Sequence, residues 1–256
     1  MSSPQPTGFP LHVVVLAAGR GSRLADGETR PKWLLETAGR TLAERHLEGI
    51  ALAARSGAVA SVRVVTGHVA AAIESFAAGH EEVELVPNPE YAELNNWWSL
   101  LRALRELPPE GPVAVINADL LVAPCHLADF LFDAASASAE ALICVDLERE
   151  LSDESMKVER GPDGGLARIG KVGIDEAVGE YVGILMARGA PLAAMRAHLE
   201  CFVGRPECAD EWYEGAVGRS AADGASWRIW PMPSGEWVEI DDDDDLARAR
   251  TLVSLP

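Results

Sequence analysis

The chain has 256 residues, 48% of them apolar, and a net charge of −18 from 40 acidic against 22 basic side chains. That apolar content excludes a disordered chain, and the length suffices for a sizeable core. The negative charge argues against nucleic acid or an anionic membrane as the main partner, because both require a basic footprint.

The first ten residues, Met1 to Pro10, have neither a basic start nor an apolar run. They read as a flexible polar tail and not as a signal peptide. No window approaches 18 uninterrupted apolar residues, so no membrane span is expected and the location reads as cytoplasmic. Cys125, Cys144, Cys201 and Cys208 show no C-x-x-C spacing and read as free thiols.

Val13 to Ala17 is an apolar, β-branched run with the composition of a buried parallel strand. It enters Ala18-Gly19-Arg20-Gly21-Ser22-Arg23-Leu24, and Pro31-Lys32 follows. Glycines there let backbone N–H groups approach an anion, and Arg23 and Lys32 supply countercharge. The combination suits the phosphates of a nucleotide. It is neither a dinucleotide fingerprint, because Leu24 stands where the third glycine belongs, nor a P-loop, because no Gly-Lys-Ser/Thr follows.

Further along, Thr41-Leu42-Ala43-Glu44 is a capping box opening a helix to about Arg55. Strands are predicted over 62–66 and 83–86, with a helix over 70–78 between them. Asn95 or Asn96 caps a helix running to about Glu106. A strand over 112–116 ends at Asn117-Ala118-Asp119, a helix spans about 127–135, and a strand covers 141–145. Such alternation implies a largely parallel sheet covered on both faces. The second half begins with a hairpin, 156–160 and 166–171, around Gly161-Pro162-Asp163-Gly164-Gly165. A strand over 181–187, helices near 191–199 and 210–219, short strands over 227–230 and 237–240, and a helix over 246–253 complete it. The pattern predicts an α/β, Rossmann-like three-layer sandwich with a mostly parallel mixed sheet and a hairpin insertion. Residues 11–256 read as one domain, 11–125 mainly for a nucleotide and 126–256 mainly for an acceptor.

Asp119 follows directly on an apolar strand, and ligands collect at the carboxyl ends of strands in open α/β sheets. A carboxylate there can hold a hard cation, and Mg²⁺ takes one or two carboxylates plus substrate phosphates. In Trp237-Val238-Glu239-Ile240-Asp241, a period of two puts Glu239 and Asp241 on one face. Asp119, Glu239 and Asp241 are therefore the predicted metal set. Asp242 to Asp245 read instead as acids in a first helical turn, where they complement the macrodipole.

Together, the Gly19–Arg23 loop, Pro31-Lys32, the strand-end Asp119 and Glu239-Ile240-Asp241 resemble the nucleotidyltransferase superfamily of the MobA-like and sugar-phosphate type. Asn95-Asn96-Trp97-Trp98-Ser99-Leu100 resembles the N-N-x-x-S-(L/M) motif of bacterial phosphocholine cytidylyltransferases and of relatives acting on 2-aminoethylphosphonate. Met156-Lys157-Val158, Ile169-Gly170-Lys171, Glu180-Tyr181-Val182-Gly183-Ile184 and Trp212-Tyr213-Glu214 resemble the same group. Two departures bear on the acceptor pocket: Trp97-Trp98 is bulkier than the usual pair, and Arg30 stands where a small residue is common.

The resemblance implies an Mg²⁺-dependent enzyme that transfers CMP from CTP to a small phospho- or phosphono-compound and releases pyrophosphate. A sugar 1-phosphate or molybdopterin-type acceptor with another nucleoside triphosphate is the alternative. It further implies Arg23 and Lys32 as catalytic residues, and Leu16, Ala17, Ala18, Gly19, Gly21, Ser22, Asn88 and Asn95 as further contacts to the nucleotide. The implied acceptor contacts are Asn96, Trp97, Trp98, Lys157, Lys171, Glu180, Tyr181, Trp212 and Glu214. The chain carries seven tryptophans beside five phenylalanines. A quaternary ammonium binds over aromatic faces, for which Trp97, Trp98, Trp212 and Tyr213 are candidates. A primary ammonium needs acceptors for its N–H groups, for which Glu180 and Glu214 are candidates. The sequence does not fix base preference or oligomeric state, and it leaves a homodimer open.

Overall fold

A computed structural model describes residues 8–25, 27 and 29–251. The tail over residues 1–7 and the predicted end of the last helix at 252–253 lie outside the described residues. The strands are β1 Leu11–Leu16, β2 Glu36–Thr37, β3 Arg40–Thr41, β4 Val59–Thr66, β5 Val83–Pro87, β6 Val113–Asn117, β7 Leu120–Val122, β8 Ala141–Asp146, β9 Lys157–Arg160, β10 Leu166–Gly170, β11 Ala177–Ala187, β12 Arg228–Pro231 and β13 Trp237–Glu239. The helices are α1 Leu42–Ala54, α2 Ala70–Ala77, α3 Asn96–Arg105, α4 Pro124–Ser136, α5 Gly189–Phe202, α6 Tyr213–Ala222 and α7 Asp243–Thr251. None of them is long and apolar enough to cross a membrane.

Nine strands form one mixed sheet in the order β10-β9-β11-β6-β1-β4-β5, with β8 on the other side of β11 and β12 beyond it. The early strands β6, β1, β4 and β5 are mutually parallel, and β11 runs antiparallel to β6, β8 and β9. Helices cover both faces, as a parallel sheet requires. Along β1 the alternation is visible: Val13 and Val15 face one apolar cluster with α1 and α4, and Val14 faces the other with α3, α5 and α6. The predicted hairpin is present as β9 and β10 and extends the sheet edge.

Several boundaries differ from expectation. The helix predicted near 210–219 starts only at Tyr213, because Trp212 keeps an extended backbone. Two pairings between short segments were not foreseen: the β2–β3 hairpin and the antiparallel pair β13–β7. The second matters most. Glu239 pairs with Leu120, and Ile240 N donates to Asp119 O at 2.9 Å, so the two acidic segments end side by side.

β13 is anchored by Trp237, which is fully buried and donates from Nε1 to Asp146 Oδ2 at 2.9 Å. Asp146 Oδ1 accepts from the backbone of Glu148 and Arg149, so the carboxylate is satisfied only with Trp237 in place. Trp237→Phe leaves a buried oxygen without its donor, an unmet group that costs about 1–3 kcal/mol. Urea unfolding followed by far-UV circular dichroism should show that loss, and an unchanged midpoint would mean the bond carries nothing.

Candidate active site

β1 delivers Leu16 to the carboxyl edge of the sheet, and the chain turns back over it. Gly21 has φ +58°, where a side chain is strained, and a Cβ there would lie 3.2 Å from Lys32 Cγ. The glycine therefore lets the loop lie on the lysine stem. Pro31 then opens a 3₁₀ turn, Lys32–Leu34, which buries Trp33 completely. That anchor fixes Lys32 at the sheet edge. Its Nζ lies 2.9 Å from Asp119 Oδ2 and 2.6 Å from Asp241 Oδ1, while Arg23 Nη2 meets Asp241 Oδ2 at 2.9 Å.

Burial alone would lower the Lys32 pKa, but the charges of Asp119 and Asp241 outweigh it and hold it well above its ordinary value. Burial likewise opposes ionisation of Asp241, yet Lys32 and Arg23 keep its pKa below the usual carboxylate range. Glu239 is pushed up to about 8 by burial, reinforced by the charges of Asp119 and Asp241. Asp119, Glu239 and Asp241 each offer an oxygen, and these lie within 4.8 Å of one another. Such a set of oxygen donors fits a hard divalent cation. A bound cation would counter the burial and the neighbouring negative charges that oppose ionisation of Glu239.

His46, fully buried in α1, ties the two sides of this cluster together. Trp33 Nε1 donates to its Nδ1 at 3.2 Å, and its Nε2 donates to Leu120 O at 2.7 Å. The first partner follows Lys32 and the second follows Asp119.

The far end of the cleft is built by α3 and α6. Asn95 caps α3 and donates from Nδ2 to Asp210 O at 3.1 Å. Asn96 Oδ1 accepts from Tyr213 N at 2.9 Å. Tyr213 donates from its hydroxyl to Asn117 Oδ1 at 3.0 Å and also touches the Tyr181 hydroxyl at 2.8 Å. Glu214 is buried, its Oε2 has no hydrogen-bond partner, and burial pushes its pKa up to about 7. Lys171 Nζ lies 5.1 Å from the Trp212 ring centre and 3.1 Å from Glu154.

A cleft of about 590 Å³ joins the two ends. Of the predicted residues, Leu16, Ala18, Gly19, Gly21, Ser22, Arg23, Lys32, Asn95, Asn96, Asp119, Lys171, Tyr181, Trp212, Glu214, Glu239 and Asp241 line it. Six others do not. Ala17 packs into the opposite core. Asn88 is buried, donating to Ser99 Oγ and accepting from Glu90 N. Trp97 is 1% exposed and packs edge-on against Phe202. Trp98 lies outside, donating to Glu90 with Arg105 over its ring. Lys157 donates to Lys171 O, and Glu180 pairs with Arg149 at 2.9 Å. The helical period explains the tryptophans: with Asn95, Asn96 and Ser99 turned to the cleft, the residues between them face elsewhere. Lining residues not foreseen include Arg20, Glu93, Asn117, Glu154, Gly183 and Asp210. Arg20 and Gly183 stand inside motifs already singled out in the sequence, and Asn117 carried a signal as a polar residue closing an apolar strand.

Residues 13–214 match the MobA-like NTP transferase domain, and the chain belongs to that family. It is 28% identical over 265 residues to the CMP-5'-(3-aminopropyl)phosphonate synthase of Streptomyces rubellomurinus, covering 98% of this chain and 40% of that protein. The bifunctional protein GlmU of Xanthomonas campestris is 30% identical over 141 residues, 51% of this chain and 29% of its own length. The chain thus spans less than half the length of the curated relatives it matches. Among solved structures, the CTP:phosphocholine cytidylyltransferase LicC of Streptococcus pneumoniae aligns with a TM-score of 0.76 at 18% identity, covering 96% of this chain and 100% of that one. The inositol-1-phosphate CTP transferase of T. maritima aligns at 0.74 and 20%, covering 96% of each chain.

Burial lowers the His46 pKa from 6.5 to about 4, so the fold excludes a proton that the unfolded chain accepts. Its contribution to stability is present above pH 6.5 and declines as pH falls towards 4. His46→Gln keeps a donor and an acceptor but does not titrate. The variant's unfolding free energy, from urea titrations, should therefore fall less steeply than wild type across that window, by up to about 1.4 kcal/mol per pH unit. Parallel profiles would contradict a neutral, buried His46.

Proposed function

We propose that this MobA-like NTP transferase transfers CMP from CTP to a small phosphonate bearing a primary amine and releases pyrophosphate. The observation that carries the nucleotidyl-transfer reading is the cluster of Lys32, Arg23, Asp119 and Asp241 at the end of β1 and β6. An acceptor phosphonate or phosphate is largely ionised near neutral pH (second pKa about 6 for a phosphate ester) and needs no protein base. Its oxygen attacks the α-phosphorus, a P–O bond forms, and the bond to the β-phosphate breaks as pyrophosphate leaves. Catalysis then consists of positioning and charge stabilisation.

In this reading, the triphosphate draws Arg23 and Lys32 away from the carboxylates, Arg23 to the outer phosphates and Lys32 to the transferring centre. Asp119, Asp241 and Glu239 would then hold Mg²⁺. A bound divalent cation supplies charge neutralisation and a template for donor and acceptor oxygens. Gly19, Gly21 and Ser22 turn the loop towards the phosphates.

The amine is supported by what lines the acceptor end. With Trp97 and Trp98 outside the cleft, the accessible indole is Trp212, and its face already lies beneath Lys171. Tyr91 and a buried Tyr181 are the other aromatic lining, so a quaternary ammonium would find no free indole face. Carboxylates are plentiful there, and Glu214 Oε2 is buried without a donor. A primary ammonium supplies that donor. The aminopropylphosphonate chemistry named for the Streptomyces relative supports the same reading.

A pyrophosphate-release screen crossing four nucleoside triphosphates with 2-aminoethylphosphonate, 3-aminopropylphosphonate, phosphocholine and sugar phosphates tests it. CTP with an aminoalkyl phosphonate should be preferred, and preference for phosphocholine or a sugar phosphate would refute the amine reading. Lys32→Ala should lower kcat by about two orders of magnitude or more while the protein stays folded. A folded variant of near wild-type rate would sink the mechanism. Glu214 binds the ammonium only when ionised, so the acceptor KM should fall as pH rises through about 7. Glu214→Gln should raise that KM about tenfold and flatten the Glu214-dependent part of the profile, leaving the KM for CTP in place. An unchanged profile would exclude Glu214 from acceptor binding.

A further inference from the structure

Asn117 ends β6 beside Leu16 of β1, with Gly183 of β11 packed against it. It thus stands where the strands of the two halves meet, two residues before Asp119. Its amide has one orientation fixed from below, because Oδ1 accepts the Tyr213 hydroxyl at 3.0 Å. In a planar amide the NH₂ group then points the other way. There it meets Gly183, whose φ of +94° belongs to the register shift in β11 between Tyr181 and Leu185. A Cβ at Gly183 would lie 3.0 Å from Asn117 Nδ2 and 3.1 Å from its Cβ. The missing side chain keeps that amide nitrogen clear, and both residues line the cleft.

Among the described residues, Nδ2 of Asn117 has no hydrogen-bond acceptor, whereas three neighbouring donors at the acceptor end are engaged. Asn95 Nδ2 is taken by Asp210 O, the side chain of Asn96 bonds Glu214, and Lys171 is held by Glu154. The acceptor end otherwise presents carboxylates, Glu93, Glu154, Asp210 and Glu214. These attract an ammonium and repel a dianion. A phosphonate seated there needs a donor near the reacting centre that is not already bound to a carboxylate.

We infer that Asn117 Nδ2 donates to a non-reacting oxygen of the acceptor's phosphonate and so orients the attacking oxygen towards the α-phosphorus. Tyr213 and Gly183 act through it: the first holds the amide in that orientation and the second keeps its path open. This rests on the nucleotidyltransferase reading above, but only on the phosphoryl oxygens that every proposed acceptor shares, and not on the amine.

Asn117→Asp keeps an acceptor for Tyr213, replaces the donor with an oxygen and adds a like charge. Asn117→Ala removes the donor without the charge. With the wild-type acceptor and CTP, the first should raise the acceptor KM more than tenfold and the second about tenfold. The Kd for CTP, measured by calorimetry on the same proteins, should stay within about twofold for Asn117→Ala. A merely structural role would move both quantities and the thermal midpoint together. An acceptor KM within twofold of wild type in folded Asn117→Ala, or an equal loss of CTP affinity, would overturn the inference. The wild-type acceptor screen separates the two levels. If phosphocholine or a sugar phosphate proves to be the acceptor, the amine reading fails and Asn117 is measured on that compound with the same expectations. If wild type transfers to none of them, both readings fall.

Discussion

A lysine ammonium held between two aspartates is the constraint on which this site depends. Lys32 is too buried to stand alone, and its ammonium holds Asp119 and Asp241 together. Desolvating such groups is unfavourable, and ion pairs of this kind are weak evidence for stability. Their presence in an otherwise strongly acidic chain is better explained by chemistry. In the proposed reaction each cation would leave for a phosphate and each carboxylate would take a divalent cation, so that partners are exchanged without leaving a bare charge. Glu239, whose carboxyl is pushed up by burial and by the same charges, would join that exchange only with a cation bound.

The scaffold behind the cluster is apolar and rigid. Trp33 and Trp237 are both fully buried, one beside Lys32 and the other on the strand that leads to Asp241. Each spends its single N–H on a buried partner, His46 or Asp146. Of the tryptophans that read as aromatic faces for a ligand, Trp97 is buried against Phe202 and Trp98 lies outside the cleft, which leaves Trp212 lining it. The acceptor end follows another rule, a short polar chain from Tyr181 through Tyr213 to Asn117 laid on the same sheet.

What could be read in the sequence was local. The apolar strand into a glycine loop, the capping box at Thr41 and Glu44, and the period-two spacing of Glu239 and Asp241 all survive, because each is decided by neighbours within a few residues. The Asn95-Asn96 pair also falls at the helix cap, as expected. Adjacency misled at Trp97 and Trp98, where helical rotation separates residues that stand side by side in the chain. Lys157 and Glu180 were drawn to a backbone carbonyl and to Arg149, partners that no spacing rule announces. The β13–β7 pair and the meeting of Asn117 with Gly183 were illegible for the same reason. Both are contacts between segments far apart, set by how the sheet closes and not by the pattern of either segment.

The short β13–β7 ladder also bears on the order in which the protein matures. Lys32 finds one partner 87 residues away and the other 209 residues away. Contacts of such separation close large loops, and the entropy of closing them must be met before they are rewarded. As the chain leaves the ribosome, the glycine loop, Lys32 and Asp119 all emerge well before Asp241. Until the last strand docks, the half-made cluster holds one countercharge for Lys32 and none for Arg23. The cluster is therefore complete only once the segment that carries Asp241 has docked through β13 onto β7.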